Sequence, residues 1–188
     1  GGMSTPHLGS LRTVAALDRP DLMAPPVVAA VAGLARADEV GVVEIDPALA
    51  DTAALSRAYD LGMDTGANCV VVAGRRDGQE RVAACVVRAD TRADVNRRVK
   101  ALLDVRKCSF LSMERAVAES GMEHGGITPL GLPAGWRVLV DEQVLAMPVA
   151  VVGSGLRRSK LLLPGAVLAD LAGVEVVADL AVVTSAPT

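Results

Sequence analysis

Two apolar runs of strand length, residues 68–73 and 81–88, flank Arg75-Arg76-Asp77-Gly78, and no other feature constrains the fold as much. Asp-Gly supplies two residues that tolerate positive φ, which a tight two-residue hairpin turn demands. The two runs must then pair antiparallel. Residues 40–45 read as a further strand. Asp51 or Thr52 can cap a helix running to about Leu61, because its side-chain oxygen satisfies first-turn N–H groups. Residues 27–37 and 93–103 have helical composition or spacing, 108–111 form a short strand, and 112–119 form a helix that ends at Gly121. The last third alternates strands with short helices, and Pro164 is well placed near a helix start. Hairpins mixed with short helices predict an α+β fold rather than a doubly wound parallel sheet.

Such a fold has to be filled with small side chains. Of 188 residues 51% are apolar, yet there is one Phe, one Tyr and one Trp. Val, Leu and Ala must therefore pack closely. A chain of this length reads as one domain, taken as residues 27–188, preceded by an irregular leader over 1–26 whose Gly1-Gly2 read as a tag remnant. A net charge of −3 excludes a broadly basic DNA-binding surface but leaves room for a local basic strip on one RNA end. Cys69, Cys85 and Cys108 lack metal-ligand spacing and sit in apolar runs, where cysteine acts as a small hydrophobe. With only His7 and His124 beside them, no metal and no other cofactor is expected. No apolar run has membrane-spanning length and there is no secretory segment, so a cytoplasmic protein without a membrane partner is expected.

The chemistry points to residues 125–133, Gly-Gly-Ile-Thr-Pro-Leu-Gly-Leu-Pro. Gly125 and Gly126 let the backbone approach a ligand, while Pro129 and Pro133 hold Thr128 and Leu132 extended. Such a loop can offer bare N–H groups to a carbonyl or oxyanion; the plain alternative is a connector. Gly153-Ser154-Gly155 lacks the third glycine and the following helix of a dinucleotide site. It reads as a turn, or as a second pocket wall where Ser154 donates to a substrate carbonyl. As a nucleophile Ser154 lacks a His and Asp. Arg157, Arg158 and Lys160 form the densest basic cluster near this turn, either a solvated turn or a phosphate site. His124 reads as a loop brace, and Asp141-Glu142 as a helix start.

The order of these elements resembles the YbaK/ProX family, editing domains that deacylate mischarged tRNA and are related to the insertion domain of prolyl-tRNA synthetases. The resemblance spans roughly residues 40–181. It rests on the Gly-x-x-x-Pro loop at 125–129, the helix before it, the strand from Trp136, the turn at 153–155 and the tail from Lys160 to Ala181. It implies a strongly curved, mostly antiparallel mixed β-sheet, barrel-like and surrounded by helices, with a pocket at one end. It also implies the acceptor end of an aminoacyl-tRNA as substrate, and an aminoacyl-tRNA synthetase as a second candidate partner. Asn68 falls where the family carries a lysine; Gly153 falls on a family serine, with Ser154 one residue later; Lys160 falls on an acidic residue. On this alignment Asn68, Gly126 and Ser154 are the candidate catalytic residues. Gly125, Ile127, Thr128, Pro129, Gly153, Gly155, Arg157, Arg158 and Lys160 are the candidate substrate-binding residues. The N–H groups around Gly126 and Gly155 would polarise the ester carbonyl, and the Asn68 amide would stand in for an ammonium. Two further readings remain open: a non-catalytic module that binds a tRNA end, an aminoacyl-adenosine-like ligand or a synthetase, and a hydrolase of another small acyl ester.

Overall fold

The computed structural model describes residues 11–184. Its first sheet is four-stranded and antiparallel: β1 (Val14–Ala15), β2 (Gly41–Glu44), β8 (Ala150–Gly153) and β9 (Ser159–Leu163), in the order β1-β2-β9-β8. The second is five-stranded and mixed: β3 (Ala67–Arg76), β4 (Gln79–Arg88), β6 (Cys108–Phe110), β7 (Arg137–Asp141) and β10 (Val174–Val177), in the order β10-β7-β4-β3-β6. A third, two-stranded sheet joins β5 (Thr91–Ala93) to β11 (Ala181–Val183). This is the α+β class with mixed sheets that the sequence predicts.

The hairpin forms as its turn residues require. β3 and β4 pair without a break from Ala67↔Arg88 to Arg76↔Gln79. Asp77 and Gly78 sit at φ 52° and 77°, the two positive values of a hairpin turn. Alternation then sorts the five-stranded sheet into two buried faces. Val86 and Val140 face a core with Val27, Val31, Leu161 and Leu163. Cys85 and Leu139, one residue earlier on each strand, face a second core with Val95, Val99, Leu103 and Leu180. Ala83, Ala84 and Cys85 are all fully buried, which shows the close small-residue packing that scarce aromatics impose.

The helices are short: α1 (Pro25–Ala32), α2 (Thr52–Ala58), α3 (Lys100–Leu103), α4 (Met113–Ser120) and α5 (Glu142–Leu145). Local capping explains most of their limits. Asp51 Oδ1 accepts from the N–H groups of Ala53 and Ala54, Ser112 Oγ accepts from Arg115 N, and Asp141 Oδ1 accepts from Gln143 N. Gly121 ends α4 in the left-handed region.

One expectation is corrected. Residues 93–103 are not one α-helix: β5 takes Ala93, and a π-helical turn (Val95–Val99) leads into α3. Sheet pairing wins there, because Asp94 N–H donates to Leu180 O beside the β5–β11 pair. The described part of the expected leader packs on the rest of the chain through short turns and a two-residue strand. Leu11, Ala16, Leu22 and Met23 are buried, β1 extends the first sheet, and Ala24 N–H donates to Ser154 O. Single apolar residues between turns carry no periodicity, so their burial is invisible in sequence. Residues 1–10 of that leader lie outside the described residues. No helix among the described residues is long and apolar enough to cross a membrane.

Candidate functional site

The two large sheets meet at a parallel bridge between Gly66 and Val151, and a cavity of about 420 Å³ opens beside this seam. The start of β3, the ends of α2 and α4, the glycine loop and the β8–β9 pair wall it. Most of the lining is apolar. Its charged groups are one carboxylate, Asp51, and one ammonium, Lys160.

Lys160 is brought there by sheet register. β9 places it opposite Gly153 on one side and Val43 on the other. It is only 8% exposed, and its ammonium makes no salt bridge among the described residues. Burial pulls its pKa below the ordinary lysine value, Asp51 pulls it back up, and Arg157 adds a smaller downward push. A desolvated cation facing a cavity is the strongest electrostatic feature of the site.

Asn68 also lines the cavity. On β3 it shares a face with Val70 and Val72, while Ala67, Cys69 and Val71 occupy the other, towards Ile127. Desolvation raises the Cys69 thiol pKa above its ordinary value, which disfavours the thiolate. The second core pushes Cys85 up to about 12.

The glycine loop and the glycine turn meet backbone to backbone. Gly155 N–H donates to Gly126 O at 2.7 Å, Glu123 N–H to Gly155 O at 2.8 Å, and Gly126 N–H to Glu123 O at 2.9 Å. A Cβ on Gly126 would come within 2.8 Å of Gly155 C and Leu156 N, and one on Gly153 within 2.6 Å of Gly126 O. Here glycine is needed for contact between loops. The N–H groups of Gly126 and Gly155 themselves are already hydrogen-bonded within the fold. Gly125, Ile127 and Gly153 do line the cavity.

The remaining candidates serve the framework. Ser154 is fully buried, with Oγ 2.6 Å from Ser159 Oγ and donating to Leu156 O at 3.1 Å. Thr128 is fully buried, and its Oγ1 has no hydrogen-bond partner among the described residues. Pro129 lines a separate groove beside Trp136. Arg157 donates to His124 O at 3.0 Å and Pro47 O at 3.1 Å, and its N–H to Glu123 Oε1 at 2.8 Å. Arg158 donates to Asp21 O. Of the basic cluster, only Lys160 reaches the cavity. Asp51 and Phe110, also in its wall, carry no sequence signal beyond helix capping and strand composition.

Comparisons with known proteins bear on the family and the fold. Residues 46–171 match the family model described as an aminoacyl-tRNA editing domain. The fold is similar to a crystal structure of a proposed trans-editing enzyme for prolyl tRNA synthetase: TM-score 0.65, 18% identity, covering 82% of this chain and 96% of that one. It is equally similar to a hypothetical protein of known structure, with TM-score 0.65 and 21% identity over 74% of this chain and 89% of the other. No curated protein sequence matches the chain. With the family model covering most of the chain from α2 through β9, the protein belongs to the aminoacyl-tRNA editing domain family.

Proposed function

We propose that this chain hydrolyses the ester bond of a mischarged aminoacyl-tRNA in trans, in the manner of the YbaK/ProX proteins, with Lys160 supplying positive charge at the reacting carbonyl. One observation carries the reading: a buried ammonium, 8% exposed, on a mostly apolar cavity wall whose one carboxylate is Asp51. Water adds to the ester carbon, the carbonyl oxygen takes up negative charge, and a fixed cation in a water-poor site stabilises it strongly. The bond to the ribose oxygen then breaks. The proton from the attacking water ends on that oxygen, releasing the amino acid and a free RNA hydroxyl. An ester is already activated, so one charged donor and correct placement are a sufficient apparatus.

Asp51 is the acidic group of the site. Its Oδ1 caps α2, which leaves Oδ2 to accept from the attacking water or from the α-ammonium of the amino acid. Asn68, also in the cavity lining, supplies a neutral donor. The apolar walls select the amino acid by shape, where one methylene is worth about 1–3 kcal/mol. The partner in this reading is the tRNA acceptor end, arriving free or from a synthetase.

A panel of charged tRNAs, incubated with the parent protein, Lys160→Met and Asn68→Ala, tests it. The parent should deacylate at least one mischarged species. Lys160→Met should lower kcat by about 100-fold, the scale of losing one oxyanion donor. Asn68→Ala should lower it by about tenfold. A parent that binds acceptor ends but hydrolyses none of the panel is a binding module instead.

A further inference from the structure

Phe110 is the single Phe of the chain, yet it is 66% exposed. It ends β6, an edge strand of the five-stranded sheet, and is fixed by pairing with Val72 and by the Leu111 N–H donating to Val71 O at 2.9 Å. A rigidly held aromatic left largely in water forgoes much of the gain from burial. Phe110 and Leu111 form a wall shared by the candidate cavity and a neighbouring groove of about 650 Å³. Four cationic side chains line that groove, Arg75, Arg106, Lys107 and Arg115, against one carboxylate, Glu80.

Two of those cations are engaged. Arg115 grips Glu80 at 2.7 and 2.8 Å and Glu119 at 2.7 Å, and Arg75 reaches Gly78 O at 3.2 Å. Arg106 and Lys107 are exposed, and their side chains make no hydrogen bond or ion pair among the described residues. On a chain of net charge −3, this is a local positive field beside an exposed ring. Cations that follow a backbone, next to an aromatic on which a base can stack, form the pattern that single-stranded nucleic acid recognises.

We propose that this groove is the track for the unpaired 3′ end of the RNA. A base stacks on Phe110, and the preceding phosphates lie on Arg106 and Lys107. The acyl group then passes over the Phe110–Leu111 wall into the cavity. The identity of the acyl cargo rests on the deacylase reading; the RNA track rests on the groove alone.

The test is fluorescence anisotropy with a short, 5′-labelled single-stranded RNA bearing a free 3′-hydroxyl, titrated at several salt concentrations. A blunt RNA duplex serves as the control. The parent should bind the single strand and not the duplex. Phe110→Ala should weaken binding by about 5- to 100-fold, and Phe110→Trp should restore it, because stacking rather than the phenyl ring itself is required. Arg106→Gln with Lys107→Gln should reduce the salt slope by about 1.4, at roughly 0.7 per phosphate on a single strand. All these positions are exposed, so the fold should survive each change. No binding by the parent, or affinity and slope unchanged in the variants, overturns the track. So does a dimer that Phe110→Ala converts to monomer without loss of RNA binding, which would give the ring to a second copy of the chain. Binding with these signatures by a parent that deacylates nothing leaves the track standing and removes the deacylase reading; the reverse result removes only the track.

Discussion

At the residue scale, the proposed role of Lys160 sets function against stability. Its pKa is lowered by burial, so the folded protein holds this proton less tightly than the unfolded chain does. Stability should therefore rise as pH climbs through the lowered folded pKa towards the ordinary value of 10.5, because the unfolded chain binds more protons in that window. Below the window the charge costs stability. Lys160→Met should accordingly stabilise the protein by about 1 kcal/mol at neutral pH while lowering turnover about 100-fold. The ratio of parent to Lys160→Met turnover should also fall towards one at alkaline pH, where the ammonium is lost. Equal urea midpoints for the two proteins, with a pH-independent rate ratio, would refute both statements. Thr128 is the opposite case. Its buried hydroxyl has no partner among the described residues, so Thr128→Val, which keeps the shape, should leave Tm unchanged or raise it. A clear fall in Tm would mean that the hydroxyl is satisfied after all.

At the scale of elements, the site depends on two loops held together by their backbones. Gly126→Ala would drive a Cβ to 2.8 Å from Gly155 C and Leu156 N, both backbone atoms with no rotamer to escape into. The expected cost is about 2–3 kcal/mol in urea unfolding, together with loss of deacylation as Gly153 moves off the cavity wall. A cost below about 0.5 kcal/mol would show that the loops part easily. Gly78 supplies the contrast. A Cβ there meets nothing within 4 Å, so Gly78→Ala pays only for its φ of +77°. That should cost about 1 kcal/mol and leave activity alone, since the turn lies at the far end of β3 from the cavity.

At the scale of the molecule, the first described residues are part of the domain. Leu11, Leu22 and Met23 are nearly inaccessible, and Ala24 N–H is bonded to the glycine turn. Each large buried apolar residue removed costs about 2–5 kcal/mol, against a total stability of about 5–15 kcal/mol. Deleting residues 1–23 should therefore unfold the protein or trap it in aggregates, although the family match begins only at residue 46. A truncated protein with native circular dichroism and a cooperative melt would show that this segment is an accessory.

The sequence alone determined what depends on neighbours along the chain. Asp77-Gly78 could make only a tight turn, so the β3–β4 pair and with it the α+β class were legible. Ser112, Asp51 and Gly121 marked helix ends because capping needs nothing beyond the next few residues. The Gly-x-x-x-Pro loop marked one wall of the site, and the element order its family. What only the tertiary structure decided is where each polar group is spent. Arg157, Arg158 and Lys160 are close in sequence, yet two bind carbonyls from distant segments and the third is buried at the cavity. Gly126 and Gly155 offered bare N–H groups until each found a carbonyl contact set by the docking of one loop on the other. Phe110 had the composition of a core residue and lies in water because β6 is an edge. Hydrogen-bond partners, burial and sheet edges are fixed by residues remote in the chain, and a local pattern holds no record of them.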